Sequence, residues 1–409
     1  MRRPALAHIL AMPAIPAPTS DIAVVGAGLS GLAAALACAR THTVLVLDAG
    51  GIGATPDTRA SFLSASSLRM MDRLGVEVSR QPVSRIVVGE GDPGRPLRGA
   101  PTEFGGEGTP MGAMVENAAL HAALLGAARA AGVDMRGGVS VHGVEAGPAR
   151  AGIETSEGDV AARLVVAADG PRSRLRTGAG IGVETHDYRR EALSFTVAHS
   201  RPHDGRAYQI FFPAGPLALL PLPDGGAGHR GSVVWTDRPA AARAAQAMGP
   251  DALAAELRRR IGDVLGEVEV MGEVARFPLR QVLAESLVTD RLALVGDAGH
   301  VIHPLAGQGL NLALRDAAAL ADVVADARRT GRDIGGPALA DYDRWRRGDV
   351  RGMALATDAL HHAYGLRGPL GALRRVGTSL VRGGVAARIA REAAGERPNL
   401  PALMARPVA

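Results

Sequence analysis

The chain contains no lysine: all 46 of its basic residues are arginine, set against 41 acidic ones for a formal charge of +5. Such one-sided usage reads as coding bias rather than a nucleic-acid footprint, because no stacking aromatics are interleaved with the arginines. Aromatic residues make up only 3% of the 409 positions, so each one is a candidate for more than space filling. A single cysteine, Cys38, excludes an internal disulfide. Lying in an apolar helical run, it reads as an inert buried thiol of a reducing compartment. No apolar run reaches the roughly 18 residues needed to cross a bilayer. The opening MRRPALAHILAMPAIPAPTS imitates a short signal peptide but is broken by His8, Pro13 and Pro16. Residues 1–20 are therefore expected to be a disordered leader, with Met12 as a second candidate start.

What is present suffices for a large core. Hydrophobic residues make up 47% of the chain, and the length suggests two lobes. Residues 21–26 (DIAVVG) read as a buried strand, 29–40 as an Ala-rich helix and 43–48 (TVLVLD) as a second buried strand. That succession opens a parallel α/β sheet. Residues 117–131 read as a further helix, and 164–168 as a strand ending at Asp169 and Gly170. Between 191 and 277 short alternating stretches, broken by Pro and Gly, suggest an antiparallel second lobe. Residues 291–297 return to the parallel-strand pattern, and the chain after Asn311 reads as largely helical to about 394. The expected division is a first domain over 21–190 with a loop insertion near 80–110, an antiparallel lobe over 191–280, a return over 281–350, and a helical region over 351–409. Within it, residues 89–110, rich in Gly and Pro, read as irregular.

Gly26, Gly28 and Gly31 form a G-x-G-x-x-G after a strand and opening a helix. Gly26 permits the turn, Gly28 lets a pyrophosphate approach the backbone, and Gly31 lets helix and strand pack closely. The phosphates would sit on the helix N-terminus, where free N–H groups and the dipole favour anions. Asp48, twenty residues after Gly28, ends the second strand in position to accept hydrogen bonds from a ribose. This unit alone leaves FAD and NAD both open. A chain that leads directly into a cofactor-binding strand is expected to be cytoplasmic.

Two further stretches decide between them. Residues 169–176 (DGPRSRLR) are similar to the DG signature of FAD-dependent aromatic hydroxylases, and 296–311 (GDAGHVIHPLAGQGLN) resembles their GD signature. On these motifs, and on 57–61 (DTRAS), 211–223 (FFPAGPLALLPLP), 233–235 (VVW) and the tail over 366–403, the chain resembles a class A flavoprotein monooxygenase of the ubiquinone-biosynthesis hydroxylase family. The resemblance covers nearly the whole chain. It implies a Rossmann-like FAD-binding domain with a parallel sheet, a para-hydroxybenzoate hydroxylase-like antiparallel substrate lobe and a helical C-terminal region. It also implies bound FAD with NAD(P)H as transient co-substrate. An oxygen atom from O2 would pass to an activated aromatic ring through a flavin C4a-hydroperoxide. The absence of a second glycine fingerprint fits a nicotinamide bound without a dedicated domain.

The resemblance places Asp297, after Gly296, on the flavin ribityl chain. Pro304, Gly307 and Gly309 would bring backbone against the isoalloxazine. A helix beginning near Leu310 and Asn311 would aim its positive end at the ring's pyrimidine edge, stabilising the negative charge of reduction. Arg59 and Asp169 are implied FAD contacts. Gly299 stands where the family usually has Ala. Glu116 and Asn117 match a family position, although Asn117 is read equally well as a helix cap. His300 is read as a supporting residue and His303 as facing substrate; an i, i+3 His pair without further ligands is a poor metal site, and none is expected. No side chain is assigned as catalytic acid, base or nucleophile, because the cofactor carries the chemistry.

Tyr208, Phe211, Phe212 and Trp235 are the candidate substrate-lining aromatics. A polyprenylated ubiquinone precursor would need an apolar channel and membrane access. The tail offers Leu370, Leu373, Val376 and Leu380 at helical spacing beside Arg374, Arg375 and Arg382, a pattern that suits an anionic leaflet or a protein partner in a biosynthetic complex. A hydroxylase of another phenolic or polyketide aromatic, and a non-catalytic scaffold of a ubiquinone-synthesis assembly, are the alternatives. A flavin halogenase is disfavoured, since W-x-W-x-I-P is absent and Trp235 and Trp345 are the only tryptophans.

Overall fold

A computed structural model describes residues 19–406 apart from 54–56, 93–94, 96, 98–100, 107–109, 226–227, 305–306 and 366–398. Its first sheet runs, edge to edge, Val288–Thr289, Leu292–Leu294, Val160–Ala167, Ser20–Val25, Val44–Asp48 and Asp134–Gly137. The Ser20–Val25 strand lies parallel to both neighbours, with Ile22 opposite Leu164 on one side and Val44 on the other. Such a strand is covered on both faces, which is why it reads as a continuous apolar run. Ile22, Val24, Leu45 and Leu47 are fully or almost fully buried, each contributing about 1.5–3 kcal/mol of apolar burial. The helices Leu29–Ala39 and Gln308–Arg329 pack on each other over this sheet. The first is rich in small residues, and its buried side includes Ala33, Ala34, Ala37 and Cys38. Burial pushes the Cys38 thiol up to about 12, so it stays protonated.

The second sheet has eight strands in the order His300–Val301, Val268–Ala284, Val183–His199, Gly228–Asp237, Gly215–Gly225, Arg206–Phe212, Arg85–Glu90 and Thr102–Gly105. All neighbours are antiparallel except Arg206–Phe212 with Arg85–Glu90, which run parallel. Helices Pro239–Gln246 and Pro250–Ile261 cover one face, where Leu193, Phe195, Phe212, Val233 and Trp235 meet Ala242, Leu253 and Leu257. A small third sheet joins Ala60–Ser64, Gly112–Glu116 and Gln81–Val83 between the two.

Several expected boundaries shift. The insertion expected near 80–110 carries the strands Gln81–Val83, Arg85–Glu90 and Thr102–Gly105, the last of them inside the part read as irregular. Its glycines and prolines are tolerated because Arg85–Glu90 adds onto an existing sheet edge whose backbone supplies the hydrogen bonds. The break expected at 190/191 falls inside the strand Val183–His199, and the break at 350/351 inside the helix Ala338–Gly365. Ser20, assigned to the leader, already belongs to the first strand, and Thr19 N donates to Ala161 O at 2.9 Å. The leader before it and the amphipathic stretch over 370–382 lie outside the described residues. Beyond that stretch the chain returns to the first domain. Leu403 and Met404 are buried in its core, and Ala402 N donates to Asp322 at 2.7 Å.

Candidate active site

Three local devices make the floor. At the fingerprint, a Cβ on Gly31 would stand 1.9 Å from Gly26 O, and one on Gly26, whose φ is +108°, 2.4 Å from Ala168 O. Both positions therefore exclude side chains for packing reasons. Gly28 is different: nothing lies within 4 Å of a Cβ there, so the space above it is open to a ligand. Asp48 is tied to this loop, its Oδ2 accepting from Ala27 N at 2.6 Å and its Oδ1 from Gly50 N at 2.7 Å. The carboxylate read as a ribose acceptor thus first holds the fingerprint turn in place.

The second device follows Val160–Ala167. Asp169 Oδ2 accepts from Arg174 N at 2.9 Å, while its Oδ1 is buried with no donor among the described residues. The third is the run from Gly296. Here φ is +63°, and a Cβ would meet Ser30 Oγ at 2.6 Å, so glycine brings this turn against the fingerprint helix. Asp297 keeps accessible surface at the cavity edge but is hemmed in by protein on most sides. Burial holds its carboxyl above the usual range, against the pull of His300 and Arg59. Gly307, at φ +61°, caps the helix Gln308–Arg329, which starts two residues earlier than Leu310. Nothing lies within 4 Å of a Cβ on Gly309.

Above the third of these devices opens a cavity of about 460 Å³. Arg59, Asp297, His303, Pro304, Gly307, Gly309 and Leu310 form its floor, and the uncovered face of the second sheet forms its roof. Of the four aromatics expected to line it, Phe211 does; Tyr208 touches its edge but shares the register of Ile210 and Phe212 and packs with them against the helix-covered core. Phe212 and Trp235 do not: both are buried on the opposite face under the two helices, where Arg260 sits 4.2 Å over the Trp235 ring. Strand alternation decides this. Val234 and Thr236, the neighbours of Trp235, line the cavity instead, along with Phe62, Phe104 and Phe277. Pairing Trp235 with the buried face would have pointed to 234 and 236 in the sequence; Phe62 and Phe104 carry no comparable local signal.

Two asparagines have duties the motifs did not disclose. Asn311 Oδ1 accepts from Ser64 N at 2.8 Å and Ser67 Oγ at 2.7 Å, and its Nδ2 donates to Phe62 O and Gly307 O. Its amide therefore binds protein groups only, locking the Ala60–Ser64 strand to the glycine turn. Asn117 is not a helix cap; Glu116 holds that position, and its carboxylate pairs with Arg230 at 2.8 Å. Asn117 instead donates to Asp57 at 2.9 Å and accepts from Ser61 at 2.7 Å. Asp57 in turn takes two hydrogen bonds from the Arg59 guanidinium, each 2.8 Å. Burial alone would raise Asp57, but the bonds from Arg59 and Asn117 hold it below the usual carboxylate range. The same bond raises Arg59, with Asp297 adding to the effect. Asp57 fixes where Arg59 points over the floor.

Residues 19–350 match the family described as FAD binding domain. The ubiquinone hydroxylase UbiL of Rhodospirillum rubrum is 38% identical over 386 residues, covering 88% of this chain and 86% of that protein. The 3-demethoxyubiquinol 3-hydroxylase of Escherichia coli is 36% identical, covering 82% and 86%.

The chain belongs to the FAD-dependent aromatic monooxygenases of the ubiquinone-hydroxylase family.

Among solved structures, PqsL of Pseudomonas aeruginosa in complex with 2-aminobenzoylacetate superposes with a TM-score of 0.73 at 23% identity, covering 85% of this chain and 96% of its own. The p-nitrophenol 4-monooxygenase PnpA of Pseudomonas putida gives 0.72 at 20%, covering 91% and 96%. Both likenesses are of fold. The monooxygenase uses FAD, and its floor fits that group. Open backbone at Gly28 admits a pyrophosphate, and the buried Oδ1 of Asp169 is an acceptor that a hydroxyl-bearing ligand can satisfy. Among the described residues, no group of three or more His, Cys, Asp or Glu could hold a metal ion, and no helix is long and apolar enough to cross a membrane.

Proposed function

We propose that this monooxygenase hydroxylates the aromatic ring of a polyprenylated ubiquinone precursor, using NAD(P)H and O2. The observation that carries this reading is the cavity, which joins the glycine turn at 307–309 to an apolar roof. FAD, reduced by a nicotinamide, supplies the oxygen-transfer chemistry when bound. The protein's work is to hold, orient and dry. Gly26, Gly28 and Gly31, with Asp48 behind them, would cradle the cofactor's diphosphate, and Asp169 and Asp297 would accept hydrogen bonds from its hydroxyl groups. Arg59, steered by Asp57, closes over the floor. Backbone at Gly307 and Gly309 would lie against the ring, and the N-terminus of Gln308–Arg329 would set its dipole where negative charge grows on reduction.

Substrate rests between this floor and Phe211, Val234 and Thr236, with His303 at the junction. An apolar roof excludes water, which keeps the oxidising equivalent from being lost to solvent. His303 packs edge-on against Tyr188 with ring centroids 4.7 Å apart, so its ring is held rather than free to swing. Substrate of this kind is membrane-borne, and a peripheral association with a membrane surface or a biosynthetic complex follows from it. Mass spectrometry of quinones in cells lacking the protein tests the reading. One under-hydroxylated polyprenyl phenol should accumulate; normal ubiquinone, with turnover of a soluble phenol by the purified enzyme, would overturn it.

A further inference from the structure

Behind Asp297 lies a group of charges that no cofactor motif predicts. Asp316, fully buried, uses one oxygen twice: Oδ2 accepts from Gly296 N at 3.0 Å and lies 2.6 Å from His300 Nε2. Its Oδ1 accepts from Arg346 Nε at 2.8 Å. Arg346 stands on the helix Ala338–Gly365, thirty residues further along, and is itself fully buried. Its Nη1 pairs with Asp349, which also takes Arg315 at 2.8 Å. Burial would push Asp316 up, but His300 and Arg346 together hold it below the usual range. Arg346 Nη2 is buried with no acceptor among the described residues.

This arrangement is not one that stability selects. A buried ion pair usually does no better than apolar residues of equal volume, and an unsatisfied buried donor adds a further penalty. What it does supply is geometry. One carboxylate oxygen fixes both the positive-φ turn at Gly296 and the His300 ring, and Asp297 sits between these two points. Arg346 helps His300 keep that carboxylate ionised, and its bond to Oδ1 aims the carboxylate so that Oδ2 reaches the turn.

We propose that Arg346 is a positioning residue of the flavin site, acting through Asp316 on the turn that presents Asp297 to FAD. The inference rests on the assignment of Asp297 to the flavin site made above. Neighbouring contacts from the same helix are more distant from the turn: Tyr342 OH donates to Leu294 O at 2.7 Å and Asp343 accepts from Leu287 N at 2.8 Å. They support the strand leading to the turn and leave Gly296 untouched, so they serve as controls.

The test is FAD titration of apoprotein by flavin fluorescence, with thermal unfolding of the same apoproteins. Arg346→Met is expected to weaken FAD binding by about tenfold, the scale on which loss of an outer supporting partner is felt at a bound group. Arg346→Lys, which keeps the charge without the fork, should fold normally and fall between the two. Tyr342→Phe should stay within twofold of wild type. In a double-mutant cycle, Arg346→Lys combined with Asp297→Ala should weaken binding less than the product of the single effects, because both act on one contact. Unchanged FAD affinity in both Arg346 variants, or strictly multiplicative effects in the cycle, would overturn the proposal. Failure of the wild-type apoprotein to take up FAD would overturn the site assignment beneath it.

Discussion

The two large sheets handle ligand contact in opposite ways. In the parallel one, the open surface is backbone at strand ends: Gly28 has free space where a Cβ would stand, while Gly26 and Gly31 are bare because protein already crowds them. In the antiparallel one, side chains face the cavity, and one strand has two different faces. Trp235 faces the covering helices while Val234 and Thr236 face the cavity. A backbone-built site fails when a Cβ is added; a side-chain-built site fails when the wrong face is edited.

Substitutions at the fingerprint should separate the two kinds of glycine most sharply. Gly31→Ala is expected to cost about 3 kcal/mol in urea unfolding, the upper end for forced overpacking, because its neighbour at 1.9 Å is backbone. Gly28→Ala, at an ordinary φ of −72° with open space around it, should leave apoprotein stability within about 0.5 kcal/mol and lose FAD. Equal losses of stability in the two would erase the distinction.

The antiparallel sheet offers the matching contrast. Trp235→Ala should destabilise by about 3–5 kcal/mol as a core truncation without altering KM in the folded fraction. Phe211→Ala opens the cavity roof instead, and should raise hydrogen peroxide released per nicotinamide oxidised, since water then reaches the floor. A Trp235 variant that uncouples the enzyme would mean that both faces touch substrate.

A smaller effect tests Asp297 by pH. Its carboxyl is raised by burial, so the folded apoprotein holds that proton more tightly than the unfolded chain does. The resulting stability is complete below the ordinary carboxylate range and declines as pH rises through the raised value. Asp297→Asn removes the decline. Wild type and variant should unfold alike in acid, with the variant the more stable near neutrality; curves that stay parallel throughout would overturn this. Smallest of all is Gly299→Ala, where the family's usual residue would press on the mobile Cδ2 end of Leu287 at 2.7 Å. About 1 kcal/mol or less is expected in unfolding, with FAD retained.

These cases show how far the sequence reached. The fingerprint and Asp48 were picked out by local spacing, and Asp169, Asp297 and the turn at 307–309 by their likeness to known motifs; the structure sets Asp297 and that turn on one cavity floor. Asn117 was not: helix capping and a bond to Asp57 use the same residue type at the same spot, and only the approach of the Ala60–Ser64 strand chooses. Phe212 and Trp235 were misplaced because an aromatic in a strand carries no mark of which face will be covered.

By itself, then, the sequence determined that a parallel strand would lead into a glycine turn and a helix, since chain stereochemistry and backbone hydrogen bonding are settled within a few residues. Only the tertiary structure decided the cavity roof, the locking of Asn311 and the reach of Arg346 to Asp316. Those depend on register between distant strands and on which charges are buried together, and the energy of a buried contact belongs to the pair.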